Sequence, residues 1–169
     1  MRYVWDKITD IVAANRKTLC VGVIGLRTDE TNNKLQEDDG YENISILQDL
    51  GPMSMSSLRT LQSSIVPSKT WSGDAVSAIV IAVDMIDTFT KKLKWIRKIF
   101  LVTDGQGAMD ADDVTDIAKK MNDSSIQLTV LYVDIQLLPV VIFLTKALVV
   151  WILMIPIMVS RKRISRRPR

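Results

Sequence analysis

Thr103, Asp104 and Gly105 follow directly on the apolar run Ile99–Val102, and they are the residues of this chain best placed to meet a ligand. Open α/β sheets bind ligands beyond the carboxyl ends of their strands, which is where this hydroxyl and this carboxylate would lie. A hard divalent cation would want such oxygens, but it draws them from several loops at once. One aspartate and one threonine fall short of that, and the same residues also spell an Asx turn that simply starts a loop. Gly105-Gln106-Gly107 lacks the third glycine and the downstream acid of a dinucleotide fingerprint, and no phosphate-loop lysine motif occurs in the chain. The run KKLKWIRK, residues 91–98, sets Trp95 among basic residues. It reads either as a short nucleic-acid contact or as a solvated helix end running into a strand, because lysines favour helix C-termini. The chain has no histidine and one cysteine, Cys20, which excludes a histidine-based triad and makes a zinc site untenable. No nucleophile–base pair and no paired carboxylates stand out, so the residues do not compose an enzyme.

The elements that must position Thr103–Gly105 follow from spacing. Residues 3–15 put Val4, Trp5, Ile8, Ile11 and Val12 on one helical face. TLCVGVIGL (18–26) is a short, β-branched apolar run, the pattern of a strand buried on both sides. TDETNNKLQEDDGYEN is too polar to bury and predicts a surface loop, after which ISILQDL from Ile44 predicts a second strand. Pro52 and Ser54 introduce a short helix carrying Met55, Leu58, Leu61 and Ile65, and Pro67 ends it. Ser72, Gly73 and Asp74 supply cap chemistry for a helix from about Ala75. Its sequence AVSAIVIAVDMIDTFTKK is apolar nearly all round, as in a helix pressed onto a sheet. IFLVTDGQG is then a strand breaking into a glycine loop. Asp110 is placed to cap ADDVTDIAKKM, and IQLTVLYV predicts a fourth strand. Strands alternating with helices imply an α/β fold with an open, mostly parallel sheet covered on both faces.

The totals agree with one ordinary domain: 169 residues, 47% hydrophobic and 24% charged. The net charge of +3 is a property of the ending, because residues 161–169 carry six of the 22 basic residues and no acid. The body is left with 16 basic against 19 acidic residues, so the overall basicity gives no reason for it to grip nucleic acid. A single cysteine rules out an internal disulfide and fits a reducing compartment. No signal peptide opens the chain.

Taken together, VGVIGLRTDETNN, PSKTWSGDAVSAI and KKLKWIRKIFLVTDGQG, in that order and spacing, resemble the N-terminal von Willebrand A domain of the larger (eighty-kilodalton) subunit of Ku in its fungal form. The likeness runs over about residues 2–131. It implies a Rossmann-like, mostly parallel sheet with helices on both faces. It also implies a nuclear protein of chromosomes and telomeres, paired with the smaller Ku subunit and with end-joining factors, that holds broken DNA ends for non-homologous joining and helps maintain telomeres. The family is traditionally credited with ATP-dependent helicase activity, but no nucleotide loop is visible here, and ATP enters only by that attribution. DNA ends would be met by regions of the family that this chain does not contain. The resemblance makes Thr103, Asp104 and Gly105 the later cation loop of the fold. The first strand and the D-x-S-x-S loop of the pattern are missing, and Ku subunits have usually lost a working cation site, so no metal is expected. A sheet lacking its first central strand would leave two neighbours unpaired, which predicts that residues 1–131 alone fold poorly.

After the fourth strand the chain departs from the family pattern G-V-D-F-D-D-P-x-Y-G-F-K. Reading the codons of Trp151 onward from the last base of the tryptophan codon forces Asp at Trp151–Ile152, Asp at Met154–Ile155 and Gly at Met158–Val159. These fall where the pattern has them. Leu131-Tyr132-Val133 can be encoded with GTATGT, Leu144-Thr145 with CTAAC and Leu148-Val149 with TTAG, a donor, a branch sequence and an acceptor. The expectation is therefore a partial von Willebrand A domain over 1–131, translation of a retained intron over 132–148 and a frame-shifted tail over 149–169. The alternative is a tail-anchored membrane protein with a soluble α/β head, in which Ile135–Met158 spans the bilayer beside a basic flank. Pro139, Lys146 and Pro156 weigh against that span.

Overall fold

In a computed structural model of the chain, the described residues are Asp6, Thr9, Asp10, Val12, Ala13, 19–66, 68, 70–90, 95–107, 109–132 and, as backbone, 148–156. Five strands form one sheet: β1 Cys20–Leu26, β2 Ile44–Pro52, β3 Trp95–Thr103, β4 Ile126–Tyr132 and β5 Leu148–Pro156. Three helices with fully described bounds accompany it: α1 Met55–Ser64, α2 Ala75–Thr90 and α3 Val114–Asp123. The described residues among the first eighteen are helical. Of the face expected there only Val12 is described, and it is buried; Val4, Trp5, Ile8 and Ile11 lie outside the described residues, as do Pro67 and Lys91–Lys94.

Strand β1 is buried along its whole length, and period-two alternation divides it between two cores. Cys20, Ile24 and Leu26 pack with α2, Ile99, Leu101, Met121 and Ile126, while Val21 and Val23 pack with Val12, Leu58, Leu61 and Val102. Helices therefore cover both faces of the sheet, as the apolar pattern requires. Sequestering a side chain such as Ile24 or Ile99, both fully buried, contributes about 1.5–3 kcal/mol. Burial also pushes the Cys20 thiol above its ordinary value.

The caps follow the sequence at two helices and depart from it at the third. Ser54 caps α1, its side chain accepting from the backbone N–H of Ser57, and Asp74 Oδ2 accepts from Ser77 N at the start of α2 (2.8 Å). At α3 the cap position belongs to Asp113 rather than Asp110, and no side chain completes it. Asp110 is instead tied to the start of α2, its N–H donating to Asp74 Oδ1.

The sheet order β2-β1-β5-β3-β4 corrects two expectations. First, the sheet is not mostly parallel. Only β3 and β4 pair in parallel, whereas β1–β2, β1–β5 and β5–β3 are antiparallel. Second, the place of the missing first central strand does not stand open, because β5 lies there and runs against both neighbours. The physical reason is backbone satisfaction: β1 and β3 point the same way, β1 is buried throughout and β3 at Ile99, Leu101 and Val102, and their facing N–H and C=O groups need partners. An uninterrupted apolar strand entering from the Tyr132 end of the sheet supplies those partners in the antiparallel sense. Residues 148–156 are thus a sheet strand, contrary to the membrane-spanning alternative, and no described helix is long and apolar enough to cross a membrane. Residues 133–147 and 157–169 lie outside the described chain.

Candidate functional site

The carboxyl ends of β1 and β3 and the start of α2 meet at one corner of the sheet. Leu26, Arg27, Gly73, Ala75, Thr103, Gly105, Gly107 and Met109 line a cavity there of about 10 Å³, room for one water at most. This is where the ligand-bearing end of the sheet was expected, and Thr103–Gly105 stand at it.

Their oxygens are turned onto the protein itself. Thr103 Oγ1 accepts from Gly105 N (3.1 Å), and Asp104 Oδ1 accepts from Gln106 N (3.1 Å). The loop is therefore an Asx turn with a threonine turn interleaved, the simpler of the two sequence readings. Asp104 is also buried, and its charge is met by Arg27: Nη1 donates to Oδ1 at 3.3 Å and to Oδ2 at 3.2 Å. Both side chains are only 6% exposed. The guanidinium carbon lies 5.8 Å from the centre of the Trp71 ring, a cation–π stack on its outer side. Arg27 Nε is buried with no acceptor in reach among the described residues.

Arg27 thus stands in the position a bound cation would need, and the backbone is shaped to hold it. Its own φ is +59°, an αL conformation that costs a non-glycine residue roughly 1–2 kcal/mol. A Cβ at Gly107 would collide with the guanidinium, and one at Gly105 (φ +70°) would come within 2.6 Å of the Tyr132 ring. These two glycines are therefore what allow the loop after β3 to close over Arg27 and against the end of β4. Among the described residues no group of three or more acidic, histidine or cysteine side chains could hold a metal. The donor set consequently fits a divalent cation poorly: its one buried carboxylate already faces a guanidinium. Around the corner the surface is acidic. Burial, and then the charges of Asp38, Asp113 and Asp74, push the Tyr41 hydroxyl above its ordinary value.

Sequence reasoning missed Arg27, which reads as an ordinary loop charge after a strand. Only its spatial opposition to Asp104 reveals it. The basic run 91–98 resolves differently. Of its described residues, Trp95 meets Phe89 edge-on at 5.8 Å, and Arg97 donates to Ser124 O and to Thr90 Oγ1 (3.1 Å). Arg97 therefore ties the start of β3 to the ends of α2 and α3, which is the structural account of the described part of that run.

The comparisons with known proteins extend over the same elements. Residues 1–141 match the family described as the Ku70/Ku80 N-terminal alpha/beta domain. A Neurospora crassa protein named "ATP-dependent DNA helicase II subunit 2" is 60% identical over 136 residues, which cover 79% of this chain and 19% of that protein. Proteins of the same name from Chaetomium globosum and Aspergillus oryzae are 54% identical over 136 residues and 50% identical over 134, each covering 79% of this chain and 18% of the relative. The chain spans about a fifth of the length of these curated relatives. With the match running through every strand from β1 to β4 and all three helices, the chain belongs to the Ku N-terminal alpha/beta domain family.

Proposed function

We propose that this chain is the N-terminal domain portion of the larger Ku subunit. As part of the heterodimer with the smaller subunit, it serves DNA double-strand break repair by non-homologous end joining, and telomere maintenance, in the nucleus. Within that assembly the domain is a platform for protein contacts with end-joining factors. It is neither a catalyst nor a cation-dependent adhesion module. The observation that carries this reading is the family match over residues 1–141; the Arg27–Asp104 pair supports its non-catalytic part, since the corner where this class of sheet ordinarily takes a ligand is filled by the chain's own side chain. The helicase activity in the relatives' names would then belong to parts of those proteins outside the matched fifth, as would contact with DNA ends.

The test is a chimera. Residues 2–131 replace the matching segment of the Neurospora crassa relative, and end joining is scored in a strain lacking that subunit. Restored joining is expected. A chimera that accumulates and pairs with the smaller subunit yet joins no ends would overturn the reading.

We also propose that residues 132–148 arise from a retained intron and 149–169 from the following exon in another frame. The forced Asp, Asp and Gly codons support this, since they fall where the family pattern places those residues. Sequencing the message across the codons for Leu131–Val149 should show a spliced form resuming as G-V-D-F-D-D-P. Retention of the segment in all translated message would sink the proposal.

A further inference from the structure

The chain contains two Asp-Gly steps, Asp39-Gly40 and Asp104-Gly105. In such a step the glycine nitrogen can attack the aspartate side chain, because no Cβ hinders the approach and the backbone turns freely. The cyclic imide that forms opens with water at either carbonyl, leaving aspartate or its β-linked isomer, isoaspartate. Both glycines have positive φ, +89° at Gly40 and +70° at Gly105, so local conformation does not tell the two steps apart. Their surroundings do.

Asp104 is buried. Both its oxygens accept from Arg27 Nη1, and Oδ1 accepts also from Gln106 N. The N–H of Gly105 is itself engaged by Thr103 Oγ1 (3.1 Å). This carboxylate is tied down and shielded from water. Asp39 is the reverse. Asp38, Asp39 and Gly40 are all exposed, and among the described residues no hydrogen bond or ion pair holds the Asp39 carboxyl. A Cβ built on Gly40 would meet nothing within 4 Å. The loop between β1 and β2 that carries the step is fastened elsewhere, by Asn33 Nδ2 on Ile44 O (2.8 Å) and Asn43 Nδ2 on Thr28 O (2.9 Å). One contact bears directly on the chemistry: Gly40 N donates to Glu42 Oε2 at 3.0 Å. A carboxylate therefore lies on the proton that the attacking nitrogen must lose.

We propose that Asp39-Gly40 is a site of isoaspartate formation, with Glu42 as its base. Gly40 N bonds to Asp39 Cγ while its proton passes to Glu42 Oε2. The bond from Cγ to the hydroxyl oxygen of the acid form of Asp39 breaks, and that oxygen leaves as water with the proton that Glu42 returns. A second water opens the imide, so the exchange needs no oxidant and no cofactor. The isomer lengthens the main chain by one methylene and keeps its carboxylate. It therefore alters the path of the loop and not its charge. An isoaspartyl carboxyl is the group that isoaspartyl methyltransferase esterifies with S-adenosylmethionine, which makes that enzyme the probe.

The full-length chain is held for weeks at neutral pH, beside the same chain unfolded in guanidinium chloride. Each sample is labelled with the methyltransferase and radioactive S-adenosylmethionine, and its peptides are mapped. Label is expected at Asp39 in both samples and at Asp104 only in the unfolded one, so the protein carries its own control. Glu42→Gln keeps an acceptor for Gly40 N but loses the base, and it should slow conversion at Asp39 several-fold with Asp104 still protected. Asp39→Glu, whose imide ring would be larger, should lose the label at this position. Equal label at Asp39 and Asp104 in the folded chain would overturn the proposal, and so would a folded chain in which Asp39 stays unlabelled. An unchanged rate in Glu42→Gln would remove Glu42 as the base.

Discussion

Ending the chain at Leu131 is expected to abolish its cooperative thermal transition, while ending it at Pro156 leaves the transition intact. Without β5 the sheet has no continuous ladder. The β1–β2 pair and the β3–β4 pair become separate ribbons, bridged only by the helices packed across them. Seven residue pairs with β1 and eight with β3 disappear together. All of Cys20–Leu26 is buried, so its freed N–H and C=O groups cannot reach water unless the core opens. Each buried, unpaired group costs about 1–3 kcal/mol, and a handful of them exceeds the roughly 5–15 kcal/mol by which a domain is stable. Differential scanning calorimetry of the two truncations decides the matter. A sharp transition for 1–131 would mean that β1 and β3 find each other directly, and that β5 is incidental to the fold.

Arg27→Ala is expected to destabilise the full chain by about 3–5 kcal/mol, because it leaves the Asp104 carboxylate buried without its counter-charge. For a domain of this size that lowers Tm by on the order of 10 °C. Asp104→Ala should cost a similar amount by stranding the guanidinium. The double replacement should cost clearly less than the sum, since each single change already destroys the pair. Arg27→Gly offers an internal control. It removes the same charge but relieves the αL backbone at +59°, so it should lie about 1 kcal/mol above Arg27→Ala. Urea unfolding of the four variants measures all of this. A cost for Arg27→Ala below that of an ordinary exposed ion pair, or strict additivity in the double variant, would show that the pair does not hold the corner together.

The likeness to Ku proteins rested on three stretches that the structure brings into contact. VGVIGLRTDETNN contributes Arg27, PSKTWSGDAVSAI contributes Trp71 and the start of α2, and KKLKWIRKIFLVTDGQG contributes Asp104 and Gly107. Their spacing in sequence was legible as family resemblance. Their meeting at one corner was not, because nothing local marks Arg27 as the partner of a residue in another loop.

What the sequence determined by itself was the identity of the local elements. A β-branched run buried on both faces predicted β1, an all-round apolar run predicted α2, and Ser54 and Asp74 announced their helix starts. These are decided by neighbours within a few residues, through side-chain periodicity and capping hydrogen bonds. The tertiary structure alone decided what becomes of residues 148–156. An apolar run satisfies the demands of a bilayer and of a sheet interior equally well, since both reward burial and neither is written in local spacing. The sheet settled the choice because the facing edges of β1 and β3 needed hydrogen-bond partners, and the direction from which β5 enters made those pairings antiparallel. The tertiary structure likewise decided the fate of Thr103–Gly105: a loop that could have offered oxygens to a cation is closed by an arginine from the end of another strand.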